Sequence, residues 1–155
     1  MTGFVLDSNT AVVDTSHSPA VRFAGDALTR DLLQRFGAPT GQGQSRPIVL
    51  ELAPSFGGFD RYRIAVHPER ITITGSDELG LIHGIYAFSR NTLSIDPFQF
   101  FTGIVPPMVD TLAIPAGVTE SKPFPYRHRG WFINDEDLII GFQLERQTLG
   151  HNLEL

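Results

Sequence analysis

The chain has 155 residues, of which 41% are hydrophobic, enough for one cored domain or one domain plus part of another, and too many for disorder. Its 17 acidic against 12 basic residues leave a net charge of −5, which argues against a general affinity for nucleic acid or an anionic membrane. There is no cysteine, so disulfides, thiolate nucleophiles and cysteine-based zinc sites are excluded. The residues after Met1 lack the basic start and apolar core of a signal peptide, and no apolar run nears the roughly 20 residues of a membrane helix. The sequence as written reads as cytoplasmic, and as secreted if a signal peptide has been removed.

In chain order, FVLD and AVVDTS read as a first pair of short strands around the turn SNT. SPAVRFAGDALTRDLLQRFG predicts a helix over 19–36. Ser18 is its N-cap, Pro19 suits the first helical position, and Gly37 is the stop. Val21, Ala24, Leu28, Leu32 and Phe36 recur at helical spacing and form its buried face. GAPTGQGQSRP is a polar surface loop. IVLEL (48–52) is a continuous apolar run, expected as a central strand covered on both faces.

YRIAVHPERITITG reads as a hairpin. Tyr62, Ile64 and Val66 alternate with polar or small neighbours, as do Ile71 and Ile73 beyond the HPER loop. A second helix is expected near 77–92, with Ser76 or Asp77 as cap and acids in its first turn. Leu81, Ile85 and Phe88, flanked by Ile82 and Tyr86, form its expected buried stripe. Gly80 and Gly84 cost about 1 kcal/mol each against Ala, which close approach of the helix to a sheet would offset. Residues 96–125, rich in Phe and Pro, are expected to be irregular but packed, because Pro denies ladder bonds while Phe seeks burial. TLAIPAG adds a short strand, and YRHRGWFI opens something new.

Few groups in this sequence carry chemistry by pattern. His67, His83 and His128 show neither HxxxH nor HxH spacing, so no metal site is expected. TGQGQS lacks the Lys-Ser/Thr of a P-loop. Phe56, Phe59 and Tyr62 are expected to pack in the core or a turn rather than to stack on sugars. Arg127 and Arg129 alternate with His128 and are expected at a domain interface. Asn134, Asp135 and Glu136 stand out because they end an apolar run in consecutive polar groups.

The stretch 71–136 resembles a glycoside hydrolase pattern. ITITGSDELGLIHGIYAFSRNTLSIDPF is similar to the end of the small α+β domain that precedes the catalytic barrel in β-hexosaminidases of family 20 and α-glucuronidases of families 67 and 115. The helix motif G-x-x-x-G-x-Y falls on Gly80, Gly84 and Tyr86, and R-x-R-G follows an aromatic-rich segment. RHRGWFINDED most resembles the opening of the family 115 barrel, through Arg129, Gly130, Phe132, Ile133, Asn134, Asp135 and Glu136. Trp131 stands where that family has an aliphatic residue.

The resemblance implies an α+β fold: a mixed β-sheet with two helices packed on one face, plus the first strand of a truncated (β/α)8 barrel. It divides the chain into an accessory domain, 1–122, and a first barrel strand with the start of its helix, 123–155. Barrel active sites lie at the C-terminal ends of the strands. Asn134, Asp135 and Glu136 would therefore bind substrate, with a polysaccharide or oligosaccharide as the partner of the parent protein. Neighbouring strand residues point to opposite faces, so Asp135 and Glu136 cannot be the two carboxyl groups, roughly 5–10 Å apart, that glycosidases use. No catalytic residue is expected within 1–155, and no cofactor, nucleic acid or membrane partner is implied. Self-association through residues 126–133 is expected of an unpaired strand. The alternative reading is a free-standing carbohydrate-binding or protein-interaction domain.

Overall fold

Ala11–Asp14 (β2), Pro19–Phe36 (α1) and Pro47–Leu52 (β3) form a unit in which two parallel strands are joined by a helix, in a computed structural model that describes residues 3–41, 46–122, 124–126 and 128. Ser18 starts α1 by accepting the Val21 N–H, Pro19 sits in its first turn, and the Gly37 N–H returns to the Leu33 carbonyl. Val21, Ala24, Leu28, Leu32 and Phe36 are all buried, as their spacing predicts.

The other strands are Phe4–Asp7 (β1), Tyr62–Val66 (β4), Ile71–Gly75 (β5), Thr111–Ile114 (β6) and Gly117–Glu120 (β7). The main sheet has the order β2-β3-β5-β4-β7. Its β2, β3 and β5 are parallel, while β4 runs antiparallel to both β5 and β7. β5 lies at the centre, with Ile71 and Ile73 fully buried. The β4–β5 hairpin is closed by the His67 N–H donating to Arg70 O at 2.9 Å. Helix Glu78–Asn91 (α2) packs beside α1 on one face of this sheet, and a short turn of helix, Gln99–Thr102 (α3), follows it. The result is the expected α+β architecture; among the described residues there is no closed barrel.

Asp77 caps α2, its carboxylate accepting the Gly80 N–H at 2.7 Å and the Asp60 N–H at 2.9 Å. The two helix glycines lie on the sheet side. A Cβ on Gly84 would stand 2.8 Å from Ile73 Cγ2, and one on Gly80 would run into the Arg61 backbone. Their cost in propensity is thus offset by a close helix–sheet contact.

Four expectations need correction. β1 and β2 are strands but not partners, because β1 pairs with β6 in a separate ribbon. The Asp7–Thr10 turn, held by the Thr10 N–H on Asp7 O, redirects the chain so that Phe4 and Leu6 enter the core while β2 joins the main sheet. β3 is buried on one face only. Ile48 and Leu50 point at the helices, whereas Val49 and Glu51 are half-buried, since both helices lie on the same side. In the stretch expected to be packed, Phe98, Ile104, Val105 and Met108 are exposed, with Phe98 60% and Ile104 71% accessible, because the core is already filled from the helices and strands. Tyr86 is not part of the buried stripe of α2. It is 38% exposed on the outward side, where Leu81, Ile85 and Phe88 leave it no room inside.

Candidate functional site

Asn134, Asp135 and Glu136 lie outside the described residues, as do Arg127, Arg129 and most of 126–133. The structure describes the path that leads towards them. After β7, Ser121 is tied to Tyr62 twice: the Ser121 N–H donates to Tyr62 O, and the Tyr62 N–H donates to Ser121 Oγ, each at 2.9 Å. Phe124 then lies against His83 of α2, ring centroids 5.6 Å apart. His128 lines a depression beside Phe59, Glu78 and Leu79 at the N-terminal end of the same helix. The segment that follows the sheet therefore crosses α2 on the side away from the core.

That side of α2 carries Leu79, His83, Tyr86 and Arg90, spaced four, three and four residues apart. Leu79 is 44% exposed. A groove of about 310 Å³ runs along this stripe, between Phe124 and Pro97, over His83, Tyr86 and Arg90. Asp31 of α1 borders the stripe. Burial holds its carboxyl above the usual aspartate range, and the Ser89 hydroxyl and the Arg30 guanidinium pull it only partly back. The Ser89 hydroxyl does not reach hydrogen-bond geometry, so burial dominates. The Tyr86 phenol is raised in turn by burial and by the Asp31 charge, with Arg30 opposing. This second stripe was present in the sequence as the spacing of Leu79, His83, Tyr86 and Arg90, but only the filled inner face shows that it points outwards.

The remaining candidates have structural uses. Phe56 lies under two guanidiniums, with Arg61 Cζ 4.4 Å and Arg63 Cζ 4.6 Å from its ring centre, which leaves it covered rather than open to a sugar. Glu120 pairs with Arg63 at 2.7 Å and with Arg61 at 3.5 Å. Glu51 accepts the Thr74 hydroxyl at 2.9 Å, Asp14 accepts Ser16 Oγ at 2.6 Å, and Asp77 is the α2 cap. These carboxylates serve turns, caps and strand pairs. Among the described residues no three His, Asp or Glu side chains are grouped to hold a metal ion. Also among them, no helix is long and apolar enough to cross a membrane.

No family model matches the chain, and no curated protein matches its sequence. Solved structures do match by shape. A family 115 4-O-methyl-α-glucuronidase with specificity for decorated arabinogalactans aligns at a TM-score of 0.61 and 21% identity, over 77% of this chain and 18% of that one. The family 20 β-N-acetylhexosaminidase of Streptomyces coelicolor aligns at 0.53 and 24% identity, over 77% and 23%. The β-hexosaminidase of Streptomyces plicatus aligns at 0.50 and 22%, again over 77% and 23%. The chain spans about a fifth of the length of these proteins. Its fold is one that occurs as a part of glycoside hydrolases.

Proposed function

We propose that residues 1–122 are the non-catalytic N-terminal accessory domain of a glycoside hydrolase, and that a catalytic barrel begins at residue 123. The barrel would act on a glucuronic-acid-bearing or related plant polysaccharide, as an α-glucuronidase of the family 115 kind. The observation that carries this reading is the agreement in fold with a family 115 enzyme, of which it occupies a minor part. The RHRGWFINDED motif, which follows directly, supports it.

In this reading the domain buttresses the barrel, and Asn134, Asp135 and Glu136 sit at the C-terminal end of the first barrel strand, against the sugar. The catalytic pair comes from later strands. Residues 126–133, deprived of a barrel, would present an unpaired strand through which copies of the 155-residue chain associate.

Two preparations test the proposal: residues 1–155, and the same chain with whatever its reading frame adds. The 155-residue chain should not turn over aryl glucuronides or glucuronoxylan, whereas the longer protein should, with activity reduced by Asn134→Ala or Asp135→Asn. Turnover by residues 1–155 above a heat-inactivated control would overturn it, because both carboxyl groups would then have to lie within this chain.

A further inference from the structure

We propose that the face of the sheet left uncovered by the helices binds a uronic-acid residue of a polysaccharide, with Arg63 taking the sugar carboxylate, Arg61 adding its charge, and Ala65 and Val118 lying under the ring. The inference deepens the hydrolase reading and rests on it for the choice of a uronate-bearing polysaccharide as ligand.

The first observation is a surplus of cationic donors. Arg61 and Arg63 both hold their guanidiniums over Phe56, at 4.4 and 4.6 Å from its ring centre. An aromatic ring fixes a guanidinium in place without using its hydrogen-bond donors. Arg63 gives Nε to Glu120 at 2.7 Å, and its two Nη groups have no partner among the described residues. Arg61 reaches Gly57 O and Glu120 only at 3.4 and 3.5 Å, and its Nε is buried without a partner among the described residues. Two guanidiniums thus share one carboxylate, which leaves positive charge at this corner of a chain whose net charge is −5. Glu120 is a weak competitor for an arriving anion, because water screens its pairing with Arg63.

The second observation is what lies beside these donors. The planar Nη edge of Arg63 suits a carboxylate held by two parallel hydrogen bonds. Arg63 and Glu120 are register partners, and the next pair on the same face, Ala65 and Val118, is apolar and short. Thr72 and Val49 continue that row across β5 and β3. Val118 is 60% exposed. Two residues along a strand span about 7 Å, so a hexuronate with its carboxylate on Arg63 lays the C–H face of its ring over Ala65 and Val118. A sulfate or phosphate would use the guanidiniums and leave this floor bare, which is why the face fits a uronate.

Affinity electrophoresis of the 155-residue chain in native gels tests this. Glucuronoxylan in the gel should retard the chain, whereas glucuronoxylan with its carboxyls reduced to alcohols should not. Arg63→Gln should weaken binding by on the order of tenfold, as expected for losing a charge-assisted pair of hydrogen bonds. Glu120→Gln should tighten it several-fold, because it releases both arginines. The opposite signs separate loss of the site from loss of the fold, since misfolding weakens both variants and shows in their circular dichroism. Equal retardation by the reduced polymer, parental binding by Arg63→Gln, or weaker binding by a folded Glu120→Gln would each overturn the proposal. So would equal retardation by dextran sulfate or polyglutamate, which would make the face a general anion binder. Turnover by the longer protein separates the two readings. Retardation of the 155-residue chain without that turnover would leave the site standing and remove the hydrolase assignment; turnover without retardation would remove the site alone.

Discussion

Gly84 of α2 lies so close to Ile73 of β5 that a Cβ would stand 2.8 Å from the Ile73 methyl and 2.9 Å from Tyr62 Cβ. Alanine there would gain about 1 kcal/mol of helix propensity but incur an overpacking cost of about 1–3 kcal/mol. Gly84→Ala should therefore be destabilised modestly. Gly80→Ala should lose more, because the atom in the way is the Arg61 carbonyl oxygen, which the Ser76 N–H already holds at 2.9 Å. Urea unfolding midpoints decide the matter: a Gly80→Ala variant as stable as the parent would refute the close-approach explanation.

Asp77 should be the more valuable of the two helix caps. It accepts both the Gly80 and Asp60 N–H groups, at 2.7 and 2.9 Å, whereas Ser18 accepts one from Val21 at 3.4 Å. Asp77→Ala should cost about 2 kcal/mol and Ser18→Ala about 0.5–1 kcal/mol. The comparison is of unfolding free energies at neutral pH, and a reversed order would mean that the cap geometry does not set the energy.

Asp31 should make the fold less stable as pH rises. Its folded pKa lies above the ordinary aspartate value of about 3.9, so between the two values the folded state holds more protons than the unfolded. The cost of the buried charge is absent below the unfolded pKa and fully present above the folded one. Asp31→Asn should thus be more stable than the parent at pH 7, and the gap should close towards pH 3.5. Equal curves at both pH values would show that burial does not raise the Asp31 pKa.

Glu120 should contribute little despite its two arginine partners. Its side chain and that of Arg63 are 40% and 43% exposed, so water screens the pair. Glu120→Gln should lose less than about 1 kcal/mol, and the loss should vanish near 1 M salt. Thermal unfolding at low and high sodium chloride measures this; a salt-independent loss would point instead to the β4–β7 strand pairing.

The features legible in the sequence are local ones. The spacing of Val21, Ala24, Leu28, Leu32 and Phe36 specified the buried face of α1, Ser18 marked its start, and the start of α2 was narrowed to Ser76 or Asp77, of which the structure uses Asp77, because caps and helical stripes involve residues within a few positions of one another. The β4–β5 hairpin was legible for the same reason. Which strands meet depends on contacts between distant parts of the chain. β1 leaves β2 for β6, more than a hundred residues away, and β7 joins β4 although all four of its residues are exposed and show no alternation to read. It also decided that Tyr86 faces out and that Phe98 and Ile104 stay in solvent, since the available interior is shared among distant elements. Asn134, Asp135 and Glu136 are legible only as a motif, because they lie outside the described residues. The path towards them is tertiary: it depends on Ser121 meeting Tyr62 across 59 positions of sequence, a pairing that no local pattern encodes.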